Sequence, residues 1–140
     1  MKRLILTLAL LGAVAAPTAV ASPSILRLAP AKFNFGTRPV GTENIKSALL
    51  TNTSASPVLV TFDILSMPDD FGFEAPGLTC PPAGGFVLAP SESCVATAAF
   101  RPSEFFAGLH QTAAVAIVAS NPSTGAVLDS ETLTMSGTGK

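Results

Sequence analysis

Apolar and polar residues alternate in short runs along most of the chain, and turn-forming residues separate the runs at intervals of about 8 to 14 positions. The clearest run covers residues 58–64, where a period of two is typical of a half-buried β-strand. The side chains predicted to face the core in this run are Val58, Val60, Phe62 and Ile64. Similar runs lie at residues 25–28, 31–35, 45–51, 94–100, 110–119 and 127–135. About seven short strands predict an all-β fold, a two-sheet immunoglobulin-like β-sandwich.

Residues 104–119 allow two interpretations. The segment is rich in Ala, which favours an amphipathic helix. Gly108, three β-branched residues near the end of the segment and the surrounding strand–turn–strand layout favour a strand. We therefore predict a strand here.

Residues 1–21 have the three parts of a secretory signal peptide: a basic start, an apolar run and a small-x-small site, Ala-Val-Ala, at 19–21. The alternative is an uncleaved membrane anchor, but the uncharged run, residues 4–16, has 13 residues. A spanning helix needs roughly 20. We expect cleavage after Ala21, which leaves a single exported domain, residues 22–140. This domain is expected to have no stable membrane span and to be located in the periplasm or the medium.

Composition argues against several classes of partner. Without Lys2 and Arg3, the 8 basic residues become 6 against 9 acidic ones, so the exported domain has a formal charge of −3. This charge is mild and forms no basic stripe, which argues against nucleic acid and anionic membrane surfaces. Trp and Tyr are both absent. Because such aromatic residues build carbohydrate-stacking surfaces, a sugar-binding face is not expected.

The two cysteines, Cys80 and Cys94, are predicted to form a disulfide, because an even pair in a small exported domain is normally oxidised. A redox-active pair would more often have the spacing Cys-x-x-Cys, and a metal site would need further ligands. The bridge closes a loop of about 15 residues and should contribute roughly 3 kcal/mol to stability.

No catalytic, cofactor-binding or metal-binding residues are predicted. The only histidine, His110, has no evident acid and nucleophile to form a triad, so an exposed residue at a strand end is expected. Asp69 and Asp70 suggest a calcium loop, but the surrounding spacing fits no recognised one, and a solvated turn before Phe71 is expected instead.

Five motifs resemble a known family. The opening of the bacterial choice-of-anchor D domains resembles residues 33–41, Phe-Asn-Phe-Gly-Thr-Arg-Pro-Val-Gly. Four further segments agree with these domains in the same order: 49–53, 88–94, 100–102 and 133–139. The family is related to the abnormal-spindle/hydin-type (ASH) immunoglobulin-like domains and, more distantly, to the major sperm protein (MSP) and PapD-like sandwiches. One departure is Ser91, where the family favours Gly, which leaves the geometry of that turn open.

Eight residues of these motifs are expected to have structural roles: Phe33, Phe35, Gly36, Gly41, Asn52, Phe100, Pro102 and Gly137. Gly36 and Gly41 allow backbone conformations that are closed to other residues. Asn52 can hydrogen-bond its own turn and tolerates left-handed dihedral angles. Phe33 and Phe35 share a strand face and are expected to close one end of the sandwich.

The resemblance implies a non-enzymatic structural or protein-binding module with an unidentified protein partner, and the predicted signal peptide implies that this module is exported. The alternative is a periplasmic PapD-like chaperone that acts by strand addition, although such chaperones usually have two domains and a basic cleft. A third hypothesis is a hydrolase that uses His110. Residues 110–119 and the terminal strand have few charges and are predicted to be poorly guarded sheet edges, unless loops or prolines cover them.

Overall fold

The computed structural model describes four stretches of the chain: 16–18, 23–73, 77–81 and 84–140. Almost all of the predicted signal peptide, residues 1–21, and the predicted cleavage position after Ala21 lie outside these stretches. Among the described residues, no helix is both long enough and apolar enough to cross a membrane.

The described residues form nine β-strands and one 3₁₀ turn, Glu104–Phe106. The strands are β1 Leu26–Ala29, β2 Lys32–Arg38, β3 Asn44–Asn52, β4 Val58–Ser66, β5 Phe71–Gly72, β6 Phe86–Leu88, β7 Ser93–Phe100, β8 His110–Ser120 and β9 Val127–Gly139. One sheet has the order β1-β3-β7-β5 and the other the order β2-β9-β8-β4-β6. The predicted two-sheet sandwich is confirmed, and the segment at 104–119 is mostly strand. The additional strands, β5 and β6, have only two and three residues.

All strand pairs are antiparallel except β2 with β9. β1 and β2 belong to different sheets and are joined through the Ala29–Pro30 peptide, which is cis. The core lies between the sheets. At one end of the core, several phenylalanine rings pack against one another. The centroid of the Phe100 ring is 5.6 Å from that of Phe35 and 4.8 Å from that of Phe71. Phe33 and Phe35 are both buried, with their rings edge to face at 6.3 Å.

The alternation in β4 predicts the core only in part. Val58 and Val60 are buried, Phe62 is half-buried, and Ile64 is 64% exposed, so the predicted core position of Ile64 is wrong. A register shift between Ile64 and Ser66 interrupts the ladder with β8. The sequence pattern predicts which face a side chain takes, but it contains no sign of this irregularity.

The predicted edge strands are wrong. β8 lies between β9 and β4, and β9 lies between β2 and β8, so both are interior strands. Their alternating apolar side chains are explained by the core, because one face of each strand is buried between the two sheets. The strands at the ends of the two sheet orders are β1, β5, β2 and β6.

At two of these edges, side chains form hydrogen bonds with backbone groups and so hinder pairing with another chain. In β2 the backbone is bulged between Asn34 and Thr37. Within the bulge, the N–H of Gly36 donates to Asn34 Oδ1 at 2.9 Å, and Arg38 Nε donates to the carbonyl oxygen of Phe35 at 2.7 Å. Bulges and charged residues of this kind protect an edge strand from pairing with another chain.

The edge of β1 is guarded by a carboxylate of the other sheet. Asp129 Oδ2 accepts hydrogen bonds from the N–H groups of Ile25 and Leu26 at 2.7 and 2.9 Å. The Ser24 hydroxyl donates to the carbonyl oxygen of Leu26 at 2.6 Å. Both backbone groups of Leu26 are therefore occupied, and the first residues of β1 are attached to β9.

We expect acid to weaken this attachment. Burial raises the pKa of Asp129, but hydrogen bonds from the N–H groups of Leu26, Ile25 and Ser130 outweigh it and hold the pKa below the usual 3.8. The stability contributed by a group with a depressed folded pKa is present above its unfolded pKa and is lost as the pH falls through the folded pKa. Asp129→Asn should therefore lower the free energy of unfolding by about 1 kcal/mol at pH 7.

The difference between this variant and the wild type should be smaller at pH 3 than at pH 7, because the wild-type carboxylate, whose pKa lies below the usual 3.8, becomes protonated as the pH falls. Urea denaturation at both pH values measures it. Asp63→Asn, which changes an exposed carboxylate on β4, is the control. An equal deficit for Asp129→Asn at pH 7 and pH 3 would contradict a role for the ionised form.

Candidate functional site

The segment after β7 is held firmly at one end of the sandwich. The N–H of Arg101 donates to the carbonyl oxygen of Asp70 at 2.7 Å, and the N–H of Gly41 donates to that of Pro102 at 2.9 Å. Beyond the 3₁₀ turn, the N–H of Gly108 donates to the carbonyl oxygen of Gly139, also at 2.9 Å. The turn Glu104–Phe106 is thus fixed by backbone hydrogen bonds on both sides, to the loops before β5 and before β3 on one side and to β9 on the other.

This turn presents Phe105 to solvent. Its side chain is 94% exposed, the highest exposure of any large apolar residue in the described part of the chain. Burying a Phe ring contributes about 1.5–3 kcal/mol, so an exposed ring on a fixed turn leaves that free energy available to a partner. Phe105 is not part of the hydrophobic core that the described residues form.

Phe105 forms one wall of a groove of about 580 Å³, which we call the Phe105 groove. Its lining residues are Asp69, Asp70, Arg101, Ser103, Phe105 and Phe106. The exposed side chain of Arg101 pairs with the exposed carboxylate of Glu43. The groove therefore combines an aromatic wall with a polar and charged rim, an arrangement found at protein interfaces.

Asp70 anchors the floor of this groove. It is only 3% exposed, so the expectation of a solvated turn is wrong for Asp70. Its Oδ2 accepts hydrogen bonds from Gln111 Nε2 at 2.6 Å and from the N–H of Ser103 at 3.1 Å. Burial raises the pKa of Asp70, but the hydrogen bonds from Gln111 and Ser103 favour the charged form and hold the pKa below 3.8. Asp70 is a structural carboxylate that positions Ser103 and the turn after it.

Gln111 belongs to the same polar cluster, on the core face of β8. Its amide nitrogen bonds Asp70, while its buried Oε1 has no hydrogen-bond partner among the described residues. Turning the amide over would bring its oxygen against the carboxylate of Asp70, so the orientation is determined by charge.

His110 lies outside the Phe105 groove. It is exposed at the first position of β8, with Nδ1 3.3 Å from Thr138 Oγ1. In the described part of the chain, no group of three or more His, Cys, Asp or Glu residues is placed to hold a metal ion.

Several motif residues meet at this same end of the sandwich. Gly137 lies directly against the Phe100 ring, where an added Cβ would come within 2.6 Å of Cε1. Pro102 bonds Gly41, which has a φ of +79°, a conformation that favours glycine. Gly36 has a φ of +67° in the bulge of β2. These residues therefore have structural roles in the packing of the sheets and in the turns that join the strands.

Asn52 lies at the opposite end of β7, where it connects three segments. Its Nδ2 donates to the carbonyl oxygens of Ser56, Leu88 and Ala89 at 2.8, 3.0 and 3.2 Å. Its Oδ1 accepts from the N–H of Ser54 at 2.9 Å. The sequence suggested the bond to its own turn, but not the bonds to β6, and Asn52 does not adopt a left-handed backbone.

Ser91 adopts a left-handed backbone conformation, which is most easily adopted by glycine. Its φ is +64°, the only positive φ at a non-glycine residue in the described part of the chain. Its N–H donates to the carbonyl oxygen of Asn52 at 2.9 Å, and the N–H of Asn52 donates to that of Glu92 at 3.0 Å. This turn therefore has a left-handed residue although the residue is not glycine.

The predicted disulfide between Cys80 and Cys94 is present, with a Cα–Cα distance of 5.0 Å. It joins the loop after β5 to the start of β7, and both residues are buried.

Sequence reasoning missed Phe105 and Gln111. The pattern around residues 104–106 contained a usable sign, an aromatic pair between Pro102 and Gly108 that fits neither strand alternation nor a core position. Gln111 offered none, because its importance comes from Asp70, 41 positions away in the chain.

Neither a known family model nor a curated protein matches the sequence. Solved structures match it by shape. PapD-like domain 7 of human CEP192, an ASH/PapD-like domain, superimposes with a TM-score of 0.69 at 10% identity, over 93% of this chain and 96% of that chain. The chain has the ASH/PapD-like fold.

Two further structures support this ASH/PapD-like sandwich. WR4, a C. elegans MSP family member, matches with a TM-score of 0.56 at 12% identity, over 84% of this chain and 100% of that chain. The E. coli chaperone DraB matches with a TM-score of 0.56 at 15% identity, over 81% of this chain and 54% of DraB. The expected similarity to ASH, MSP and PapD-like sandwiches is therefore confirmed for the fold, and the chain spans about half the length of DraB.

Proposed function

We propose that the protein is an exported, non-enzymatic binding module of the choice-of-anchor D/ASH-like kind that contacts a protein partner through the Phe105 groove. The observation that carries this proposal is the almost complete exposure of Phe105 on a turn fixed at both ends. Aromatic side chains that insert into a pocket of the partner dominate interface energetics, and a pre-organised anchor loses little entropy on binding. The partner that fits is a folded protein with an apolar pocket and polar groups around it.

Export is supported by the predicted signal peptide and by the disulfide, since disulfides persist mainly in oxidising compartments. The absence of an enzymatic role is supported by the arrangement of the titratable groups near the groove. Asp70 is bonded to Gln111 and Ser103, Arg101 is paired with Glu43, and His110 lies elsewhere.

The alternative, a PapD-like chaperone acting by strand addition, draws on the fold shared with DraB. The edges argue against it. In β1 and β2, side chains are hydrogen-bonded to backbone groups of the strand. The other two edge strands, β5 and β6, are very short. A strand donor or acceptor needs an open edge of several residues.

The test begins with crosslinking of the purified protein in envelope and culture-supernatant extracts and identification of the captured partner by mass spectrometry. The affinity of the purified partner is then measured for three proteins. Phe105→Ala should weaken binding about 30-fold, the loss of a typical hot-spot residue. Val127→Ala, at an apolar residue that is 68% exposed on the β8–β9 hairpin at the other end of the sandwich, should bind like the wild type.

If the wild type and Phe105→Ala bind the partner with equal affinity, the Phe105 groove is not part of the interface. If crosslinking captures no protein more strongly than it does with a control variant whose surface residues are scrambled, the binding role itself is contradicted. Delayed aggregation of an unfolded secreted client in the presence of the wild type would favour the chaperone alternative.

A further inference from the structure

Three carboxylates lie in or beside the Phe105 groove. Asp69 lines it and is exposed, and Asp70 lines it from a buried position. Glu104 is exposed at the first position of the 3₁₀ turn, next to Phe105. Burial raises the pKa of Asp70, but its hydrogen bonds lower it below 3.8, so this carboxylate is charged at neutral pH. The groove thus brings an exposed aromatic ring and negative charge together.

Among the described residues, Arg101 is the only Lys or Arg that lines the groove, and its charge is already compensated. Its Nε donates to the carboxylate of Glu43. One terminal nitrogen, Nη1, lies against the backbone of Gly72, where an added Cβ would be 2.9 Å from it. The guanidinium is therefore held between Glu43 and β5, and its charge is balanced by Glu43 instead of by the carboxylates of the groove.

The surroundings of the groove account for the charge excess of residues 22–140. The four carboxylates and the one guanidinium at this site have a formal charge of −3. Residues 22–140 have the same formal charge, with 6 basic and 9 acidic side chains. The other ten charged side chains, five of each sign, therefore cancel. A charge excess that is concentrated at one site attracts a partner of opposite charge.

We propose that the partner of the Phe105 groove has an apolar pocket bordered by lysine and arginine side chains, an inference that rests on the proposed binding role of Phe105. The pocket receives the ring of Phe105, and the basic side chains around it face Asp69 and Glu104. Burial of the ring at the centre supplies most of the affinity. The charges at the rim raise the association rate and disfavour acidic partners.

A second copy of the chain does not fit this surface. Two grooves that face each other around a two-fold axis would bring the same carboxylates together, and like charges across an interface are unfavourable. An anionic membrane surface is unfavourable for the same reason. The charge at the groove therefore selects a basic surface of another protein.

Association kinetics with the partner captured by crosslinking test this inference. Asp69→Asn/Glu104→Gln, which we call the rim variant, should lower the association rate constant about fivefold at about 20 mM NaCl and leave the dissociation rate nearly unchanged. Asp63→Asn/Glu131→Gln is the control, because it removes the same two charges from β4 and β9 and should associate faster than the rim variant. At about 0.5 M NaCl, where screening is strong, the two variants should associate equally fast.

The Phe105→Ala variant separates this inference from the proposed function. If Phe105→Ala weakens binding but the rim variant associates like its control, the partner has no basic border and the inference is wrong. If the rim variant associates faster than the wild type, the border is acidic and the inference is equally wrong. If neither variant changes binding, or if no partner is captured, the proposed function fails as well.

Discussion

Gly137→Ala is expected to lower the free energy of unfolding by about 3 kcal/mol, the upper part of the range for overpacking a core. An added Cβ would come within 2.6 to 2.8 Å of three atoms of the Phe100 ring. That ring cannot move away, because it is fully buried and packed against Phe35 and Phe71. The backbone of Gly137 cannot move either, since it pairs with Gln111 on β8. Urea denaturation measures the loss.

Ser136→Ala is the matched control, because it changes the neighbouring residue of β9, which is not a core position, and should shift stability by less than about 0.5 kcal/mol. Gly137→Ala combined with Phe100→Leu should lose less than the sum of the two single changes, since a smaller side chain makes room for the Cβ. Additive losses, or a wild-type melting curve for Gly137→Ala, would contradict the close contact.

The role of Gly137 shows where sequence reasoning stops. Alternation in β7 and β9 predicts which side chains face the core, and the structure agrees for Phe100, Leu133 and Met135. It does not predict that a glycine of one sheet lies opposite a phenylalanine of the other. That contact depends on how the two sheets are aligned, which no local pattern encodes. The resemblance to a family drew attention to Gly137, and the reason for it is in the packing.

The candidate site was harder to predict than the fold, for a related reason. Asp69 and Asp70 look alike in the sequence, but only Asp70 is buried, because Gln111 and Ser103 come to it from other parts of the chain. Phe105 looked like one more apolar residue in an Ala-rich segment. Its exposure depends on the backbone bonds that hold the turn away from the core.

The positions of the sheet edges were hard to predict for the same reason, because they depend on contacts in the folded structure. Low charge marked β8 and β9 as candidate edges, yet the same composition suits a strand in the middle of a sheet. Two of the real edges are identified by the side chains that occupy their backbone groups: Asp129 at β1 and Arg38 at β2. The protection of β1 depends on a side chain that is distant in sequence, which the strand's own composition does not reveal, whereas Arg38 protects β2 from within the strand.

Asn52→Ala is also expected to cost about 3 kcal/mol, because one substitution leaves several polar groups without partners. The carbonyl oxygen of Leu88 loses its bond to Nδ2 in the core, and those of Ala89 and Ser56 lose theirs nearby. The N–H of Ser54 loses its acceptor. Asn52 is fully buried, so water cannot easily replace these bonds. Thermal and urea unfolding measure the effect.

Asn121→Ala separates the local bonds from the long-range ones. The side chain of Asn121 accepts from the N–H groups of Ser123 and Thr124 in its own turn, at 2.8 and 3.1 Å, as Asn52 does with Ser54. If the turn bond were the whole contribution, the two variants would lose similar amounts, about 1 kcal/mol each. We expect Asn52→Ala to lose clearly more, because only Asn52 joins the end of β3 to β6 and thereby couples the two sheets. Equal losses would reduce Asn52 to a turn residue.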